Sequence, residues 1–246
     1  MHRTAPLSGR TAIVTGAAVR LGRAISVALA DAGADIVVHY GRSKTEAEEV
    51  AGEIAKLDRR VVTVSADLSD PLSAAAKILD AAAELGGADI LVNSAAIFED
   101  ASLVEMTEDS YDRHLAINLK APCFLCREFA RRLTRDRGHI LNLADWRAET
   151  PPADYLAYTL SKAGIVALTR ALALQLAPAI QVNAIAPGAI LPPPGGDFET
   201  WQTSKLPDIP LRRTGGAKDI ADAAVYLLRS EFITGEVLHV TGGEHL

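Results

Sequence analysis

Seven short β-rich apolar runs recur along the chain: TAIVTG, DIVVHY, VVTVSADL, DILVNSA, HILNLAD, QVNAIAPG and EVLHVTGG. Ala/Leu-rich helical stretches lie between most of them, at 21–33, 44–58, 71–85, 118–136, 156–177 and 217–229. The runs are nearly continuous in apolar residues instead of alternating with polar ones. That pattern suits parallel strands covered on both faces. Strand–helix alternation then requires right-handed crossovers between neighbouring strands. The expected fold is α/β: a single-domain Rossmann-type doubly wound parallel sheet of seven strands, with helices on both faces. One stretch breaks the rhythm. Residues 190–213, ILPPPGGDFETWQTSKLPDIPLRR, are rich in Pro and Gly and carry Trp201. A loop of that length in a compact domain is commonly a lid or binding loop, so it is expected to be a substrate loop; a passive surface excursion is the alternative.

The 246 residues are 49% hydrophobic, enough for one sizeable core, and residues 1–246 are taken as one domain. A formal charge of −6 argues against a nucleic-acid surface, and few aromatics leave little to stack on bases. MHRTAPLSGR has no apolar signal core, and no run reaches membrane-spanning length. The expectation is a soluble cytoplasmic protein acting on a small molecule, without nucleic-acid or membrane partners. Cys123 and Cys126 have C-x-x-C spacing but no second ligand pair. They are expected to be small apolar residues on a buried helix face. His39, His114 and His139 lack metal-ligand spacing and are expected to be structural, so no metal site is anticipated.

The first strand runs directly into TGAAVRLGRAI. A Gly turn that opens a helix presents backbone N–H groups and a positive dipole end to a pyrophosphate, and Gly16 and Gly22 fit that role. Arg20 occupies a place where such turns often carry another Gly; its guanidinium could reach phosphate or substrate. The second strand ends in VVHYGRSK, with no carboxylate to grip a ribose. Arg42 and Lys44 there favour a 2′-phosphate, hence NADP(H), although a solvated basic helix start would look the same. Asp67, at a strand end, suits an adenine amine, and Asn93 falls beside the cofactor.

Tyr158 and Lys162 lie four residues apart, on one face of an expected helix. The lysine charge favours tyrosinate, which lowers the phenol's pKa and makes it a better acid. Asp145 stands thirteen residues before Tyr158, at the end of an apolar run.

These segments resemble the short-chain dehydrogenase/reductase family over nearly the whole chain. The resemblance is carried by TGAAVRLG, the DL at 67–68, NSAA at 93–96, INLKAP at 117–122, YTLSK at 158–162, APG at 186–188 and FITGEVLHVTGG at 232–243. It implies hydride transfer with Tyr158 as proton donor, tuned by Lys162, and Asn118 anchoring a proton relay through Lys162. It also implies a cofactor held by Gly16, Arg20, Leu21, Gly22, Tyr40, Arg42, Ser43, Asp67, Leu68, Asn93, Ser94, Ala95, Tyr158, Lys162, Pro187 and Gly188. A homotetramer follows, pairing the helices at 118–136 and 156–177.

The family usually has serine where this chain has Asp145. A serine hydroxyl donates to a developing oxyanion. An ionised aspartate cannot; it suits a substrate that presents N–H groups. In this the chain resembles the pteridine and dihydromonapterin reductases, as it does at Arg20, HYGRS, Tyr155 and the short tail GGEHL. That resemblance implies a substrate site of Arg20, Phe98, Asp145 and Tyr158, with Phe98 stacking on the pterin. Ala96 and Ile190 depart from the pattern, standing where some pteridine reductases have hydroxyl residues. Blander readings exist: Asp145 as a helix cap or a partner of Arg147, Phe98 as ordinary core, Glu99 and Asp100 as solvated loop carboxylates. Two other functions stay open, a general NADP(H)-dependent carbonyl reductase and a non-catalytic NADP-sensing scaffold.

Overall fold

The computed structural model describes residues 5–193 and 195–246. Its sheet has seven parallel strands: β1 (Thr11–Val14), β2 (Asp35–Tyr40), β3 (Val61–Ser65), β4 (Ile90–Asn93), β5 (Gly138–Leu143), β6 (Ile180–Pro187) and β7 (Val237–Val240). They lie in the order β3-β2-β1-β4-β5-β6-β7. The chain builds outward from β1 to β3, then returns to the other side of β1 to lay down β4. That reversal opens a crevice at the carboxyl ends of β1 and β4, where ligands bind in such sheets.

Alternate residues of each central strand feed two separate cores. Ala12, Val14, Ile36, Val38, Ile90 and Val92 face one side, where they pack on α1 (Arg20–Asp31), α2 (Lys44–Ala55) and α8 (Ala217–Arg229). Ile13, Val37, Leu91, Ile140 and Val182 face the other, against α3 (Pro71–Ala83) and α5 (Ala121–Arg132). The side-chain period of two, with both faces dry, is why these runs read as continuously apolar. Each buried Leu, Ile or Val contributes about 1.5–3 kcal/mol over exposure. The long helix α6 (Leu156–Leu176) lies along β6 and carries the Tyr–Lys pair.

Several expectations change. The polar segment before residue 118 forms α4 (Glu108–Leu115), capped by Thr107, whose hydroxyl accepts the Ser110 N–H at 3.2 Å. Its few apolar residues hid it. A π-helical turn, Ala116–Lys120, joins it to α5 and holds Asn118. The 190–213 segment is not wholly irregular: Asp197 caps α7 (Phe198–Lys205) by accepting the Thr200 N–H at 2.8 Å. Cys126 is buried, but Cys123 is exposed, since positions three apart diverge from the narrow buried stripe of α5. Both are free, and among the described residues no cluster could hold a metal ion and no helix is long and apolar enough to cross a membrane.

His139, on β5, is 6% exposed; burial first, and then the charges of Arg10 and Arg137, push its pKa down to about 4. The unfolded chain therefore binds the extra proton between about pH 6.5 and about pH 4, and stability falls with acid in that window. The expected slope from this residue is about 1.4 kcal/mol per pH unit. His39, also depressed by burial, adds to it. Urea unfolding at about pH 5 and about pH 7 should show a smaller acid loss for His139→Asn than for the natural protein; equal losses would contradict this origin.

Candidate active site

The turn after β1 is held from both sides. Thr15 Oγ1 accepts the N–H groups of Ser94 (3.0 Å) and Ala95 (3.1 Å) beyond β4. Gly16 has φ +63°, and a Cβ there would meet Ala95 Cα at 3.0 Å. At Gly22 a Cβ would lie 2.1 Å from the Gly16 carbonyl oxygen, so any side chain would force the turn off the helix. Val19, at the N-cap of α1, makes no side-chain cap, and the first turn holds no acidic residue. Uncapped N–H groups at a helix N-terminus suit an anion. The Gly16 N–H is not among them: it donates to His39 Nδ1 at 3.2 Å. Gly16 lines the cleft and serves the turn by its shape, its own N–H being taken by His39.

Arg20 lines the same cleft. It sits at φ +52°, a left-handed conformation that costs a non-glycine residue about 1 kcal/mol. Its guanidinium donates to the Pro192 carbonyl at 2.8 Å, tying the Gly turn to the start of the 190–213 segment.

At the end of β2, Tyr40 is half-buried, while Gly41 and Arg42 are exposed beside the half-buried Ser43. Asp67 Oδ1 accepts the Ser69 N–H at 2.9 Å. That bond, the Ser69 hydroxyl and the nearby Arg42 charge hold the Asp67 carboxyl below its usual range. Leu68 is buried next to it. Ser94, Ala95, Leu21, Pro187 and Gly188 line the cleft, but Asn93 does not. The Asn93 amide donates instead to Asn142 Oδ1 (2.8 Å) and Cys126 Sγ (3.4 Å), inside the core.

Tyr158 opens α6 with its hydroxyl donating to Asp145 Oδ2 at 2.8 Å. Asp145 Oδ1 accepts the backbone N–H of Arg147 at 2.9 Å and lies 3.5 Å from its guanidinium. So the cap and ion-pair readings of Asp145 both hold, on a carboxyl group that also lines the cleft. All three contacts donate into the carboxyl group, which suits its ionised form. Lys162 Nζ donates to the Leu143 carbonyl at 2.6 Å and stands 5.6 Å from the Tyr158 ring centre.

The electrostatic expectation for Tyr158 is reversed. Burial pushes its pKa well above 10, and the charge and hydrogen bond of Asp145 push it further; Arg147 opposes them. Lys162, itself driven down to about 8 by burial against the pull of Asp145, does not offset this. Asn118 is locked to Ile97 in both directions, at 2.9 Å each, and donates to Ser161 Oγ at 3.2 Å. Ser161 donates to the Tyr158 carbonyl at 2.6 Å. None of these partners is Lys162: the Asn118 side chain braces the segment before Phe98 against α6.

Phe98 is 41% exposed and is not core. It stacks on Tyr155 (4.2 Å, 5° between planes) and meets Tyr158 edge-on at 4.6 Å. Tyr155 adopts φ +56°, and its N–H donates to Asp100 Oδ1 at 3.3 Å. Glu99 pairs with Arg113, so neither loop carboxylate is merely solvated. The cleft encloses about 710 Å³ from the Gly turn to Asp145 and Tyr158. Arg147 and Asp154 also line it and were not anticipated, because no local motif marks them; Trp201, Ser204 and Lys205 bring the 190–213 segment onto the same cleft. Glu244 braces the far wall by accepting the Ala189 N–H at 2.7 Å.

A family model described as Enoyl-(Acyl carrier protein) reductase matches residues 16–245. The 3-oxoacyl-[acyl-carrier-protein] reductase FabG of Staphylococcus aureus is 33% identical over 242 residues, covering 96% of this chain and 98% of that protein. Among solved structures, FolM alternative dihydrofolate reductase 1 from Brucella suis in complex with NADP superposes with a TM-score of 0.91 at 32% identity, covering 97% and 96% of the two chains. A Serratia marcescens short-chain dehydrogenase/reductase variant superposes with a TM-score of 0.90 at 30% identity, covering 98% and 100%.

Removing the Asp145 charge should lower the Tyr158 pKa, since both contributions of that carboxylate raise it. Asp145→Asn should therefore shift the alkaline phenol titration to lower pH, read by ultraviolet difference against Tyr158→Phe. An unmoved titration would show that burial alone sets the value.

Proposed function

The chain belongs to the short-chain dehydrogenase/reductase family, and from that premise we propose that it is an NADPH-dependent reductase of pteridine-type heterocycles. The observation that carries the substrate class is the Asp145–Tyr158 contact at 2.8 Å on the cleft wall. It sets a hydrogen-bond acceptor and a proton donor side by side. A heterocycle edge with an N–H next to a C=N nitrogen is complementary to that pair.

The residues present fit NADP(H). The uncapped first turn of α1, held close to the Gly16 carbonyl because Gly22 has no Cβ, would form the anion cradle. Arg42 stands where a 2′-phosphate is read, with no competing carboxylate on the end of β2. Tyr40, Ser43, Asp67 and Leu68 would border the adenosine, and Ser94, Ala95, Pro187 and Gly188 the nicotinamide half. When bound, the dinucleotide supplies the hydride.

The protein's own residues do the rest. Asp145 accepts N–H groups and fixes which edge of the ring faces inward. Tyr158 holds a proton at Oη for the ring nitrogen, and its high pKa keeps that proton in place at neutral pH. Lys162, anchored on Leu143, stands by the Tyr158 ring to hold the cofactor ribose. Phe98, backed by Tyr155, offers a flat face to the heterocycle. Arg20 holds the start of the substrate segment near the phosphate end. Leu160 and Leu174, exposed on α6, support pairing of that helix across a homotetramer interface.

The rival is a general carbonyl reductase, favoured by the name of the Staphylococcus relative and by apolar Ala96 and Ile190 in the cleft. It needs Asp145 protonated, whereas every contact described above donates into that carboxyl group.

Asp145→Ser should lower kcat/KM for a dihydropterin about 10- to 100-fold, the range for losing a charge-assisted hydrogen bond, while the NADPH Kd changes little. Reduction of simple ketones but not of dihydropterins or dihydrofolate by the natural protein would decide for the rival. Arg42→Ala should weaken NADPH binding about five- to tenfold and NADH binding far less. Equal losses, measured by cofactor fluorescence, would refute the 2′-phosphate reading.

A further inference from the structure

His39 was expected to be merely structural. It lies on β2, 2% exposed, two residues before the solvent-facing Gly41. Its ring contacts the Gly turn directly. The Gly16 N–H donates to Nδ1 at 3.2 Å, and Nε2 lies 3.1 Å from the Ala66 carbonyl on the far side. A carbonyl can only accept, so Nε2 carries the hydrogen and Nδ1 keeps its lone pair. The backbone repeats the link: the Ala17 N–H donates to the His39 carbonyl at 2.9 Å. Burial lowers the ring's pKa, opposed only by the Ala66 bond, so the ring is neutral at neutral pH and Nδ1 stays an acceptor.

The geometry matters because Gly16 has φ +63° and can rotate more freely than any other residue. Thr15 pins the turn to the β4 side through Ser94 and Ala95. His39 pins it to the β2 side. Between these pins, the Gly16 carbonyl sits where only Gly22 can pass, and the uncapped N–H groups of α1 follow.

We infer that His39, through Nδ1, is a positioning residue that sets the Gly16 peptide and so aims the open end of α1 at the phosphates of the dinucleotide. It acts through Gly16 and does not touch the cofactor. The inference rests on the NADP(H) reading above.

Two substitutions separate the ring nitrogens. In His39→Asn the amide oxygen falls near the place of Nδ1 and can still accept from Gly16. In His39→Gln the amide falls nearer Nε2 and keeps only the Ala66 bond. NADPH Kd, read by cofactor fluorescence, should stay within about threefold of the natural protein for Asn and rise about five- to tenfold for Gln. In the cofactor-free protein, hydrogen exchange over residues 14–21 should quicken for Gln while the body of α1 is unchanged. The ring ¹⁵N spectrum of the natural protein should show the Nε2–H tautomer. Equal Kd values for the two variants, unaltered exchange at the turn, or an Nδ1–H tautomer would each overturn the inference; the last needs no variant to fold. A natural protein that fails to bind NADPH would instead overturn the NADP(H) reading, with the exchange and tautomer results still judging the pin.

Discussion

A sheet buried on both faces is lined mainly by apolar side chains along its length. Ile13, Val37, Leu91, Ile140 and Val182 close one side and Val14, Val38, Ile90 and Ile185 the other. Polar groups gather where the strands stop. Because all seven strands are parallel, the loops after β1, β4, β5 and β6 emerge at one edge. The reversal of strand order between β1 and β4 separates two of those loops into a cleft. Every side chain discussed for binding or proton transfer sits on that edge or on a helix that starts from it.

Within the cleft, one carboxylate gathers contacts from three directions. Asp145 ends the loop after β5, caps the short turn that follows, holds Arg147, and accepts the Tyr158 hydroxyl. Its negative charge and the dryness of the site outweigh the lysine on α6. The tyrosine is a reluctant acid in the free protein, strongly bound to its proton. A substrate that offers N–H groups to Asp145 would draw that carboxylate away from Tyr158 and ease release of the proton.

The legible part of the site is the part whose chemistry is local in sequence. Tyr158 and Lys162 are one helical turn apart, and Gly16 and Gly22 bracket one strand-to-helix turn. The departure of Asp145 from serine shows at a set distance from the tyrosine. The less legible residues have distant partners. Arg20 finds Pro192 across 172 residues, Asn118 finds Ser161 across 43, and His39 finds Gly16 across 23. Asn93 shows the reverse error: a polar residue at a strand end near the cleft whose side chain turns into the core toward Cys126 and Asn142. Helix α4 escaped because it is polar and short, held by its caps and by packing on α6 and not by an apolar stripe.

Periodicity alone determined the parallel, doubly covered sheet and the positions of most helices, because burial on two faces leaves an apolar signature in every strand. The four-residue spacing also set Tyr158 and Lys162 one helical turn apart on α6. Only the tertiary structure decided the direction of the Tyr158 pKa, the partner of Arg20 and the tautomer of His39. Each depends on desolvation and on which groups meet across the fold, and neither quantity is written in the spacing of residues along the chain.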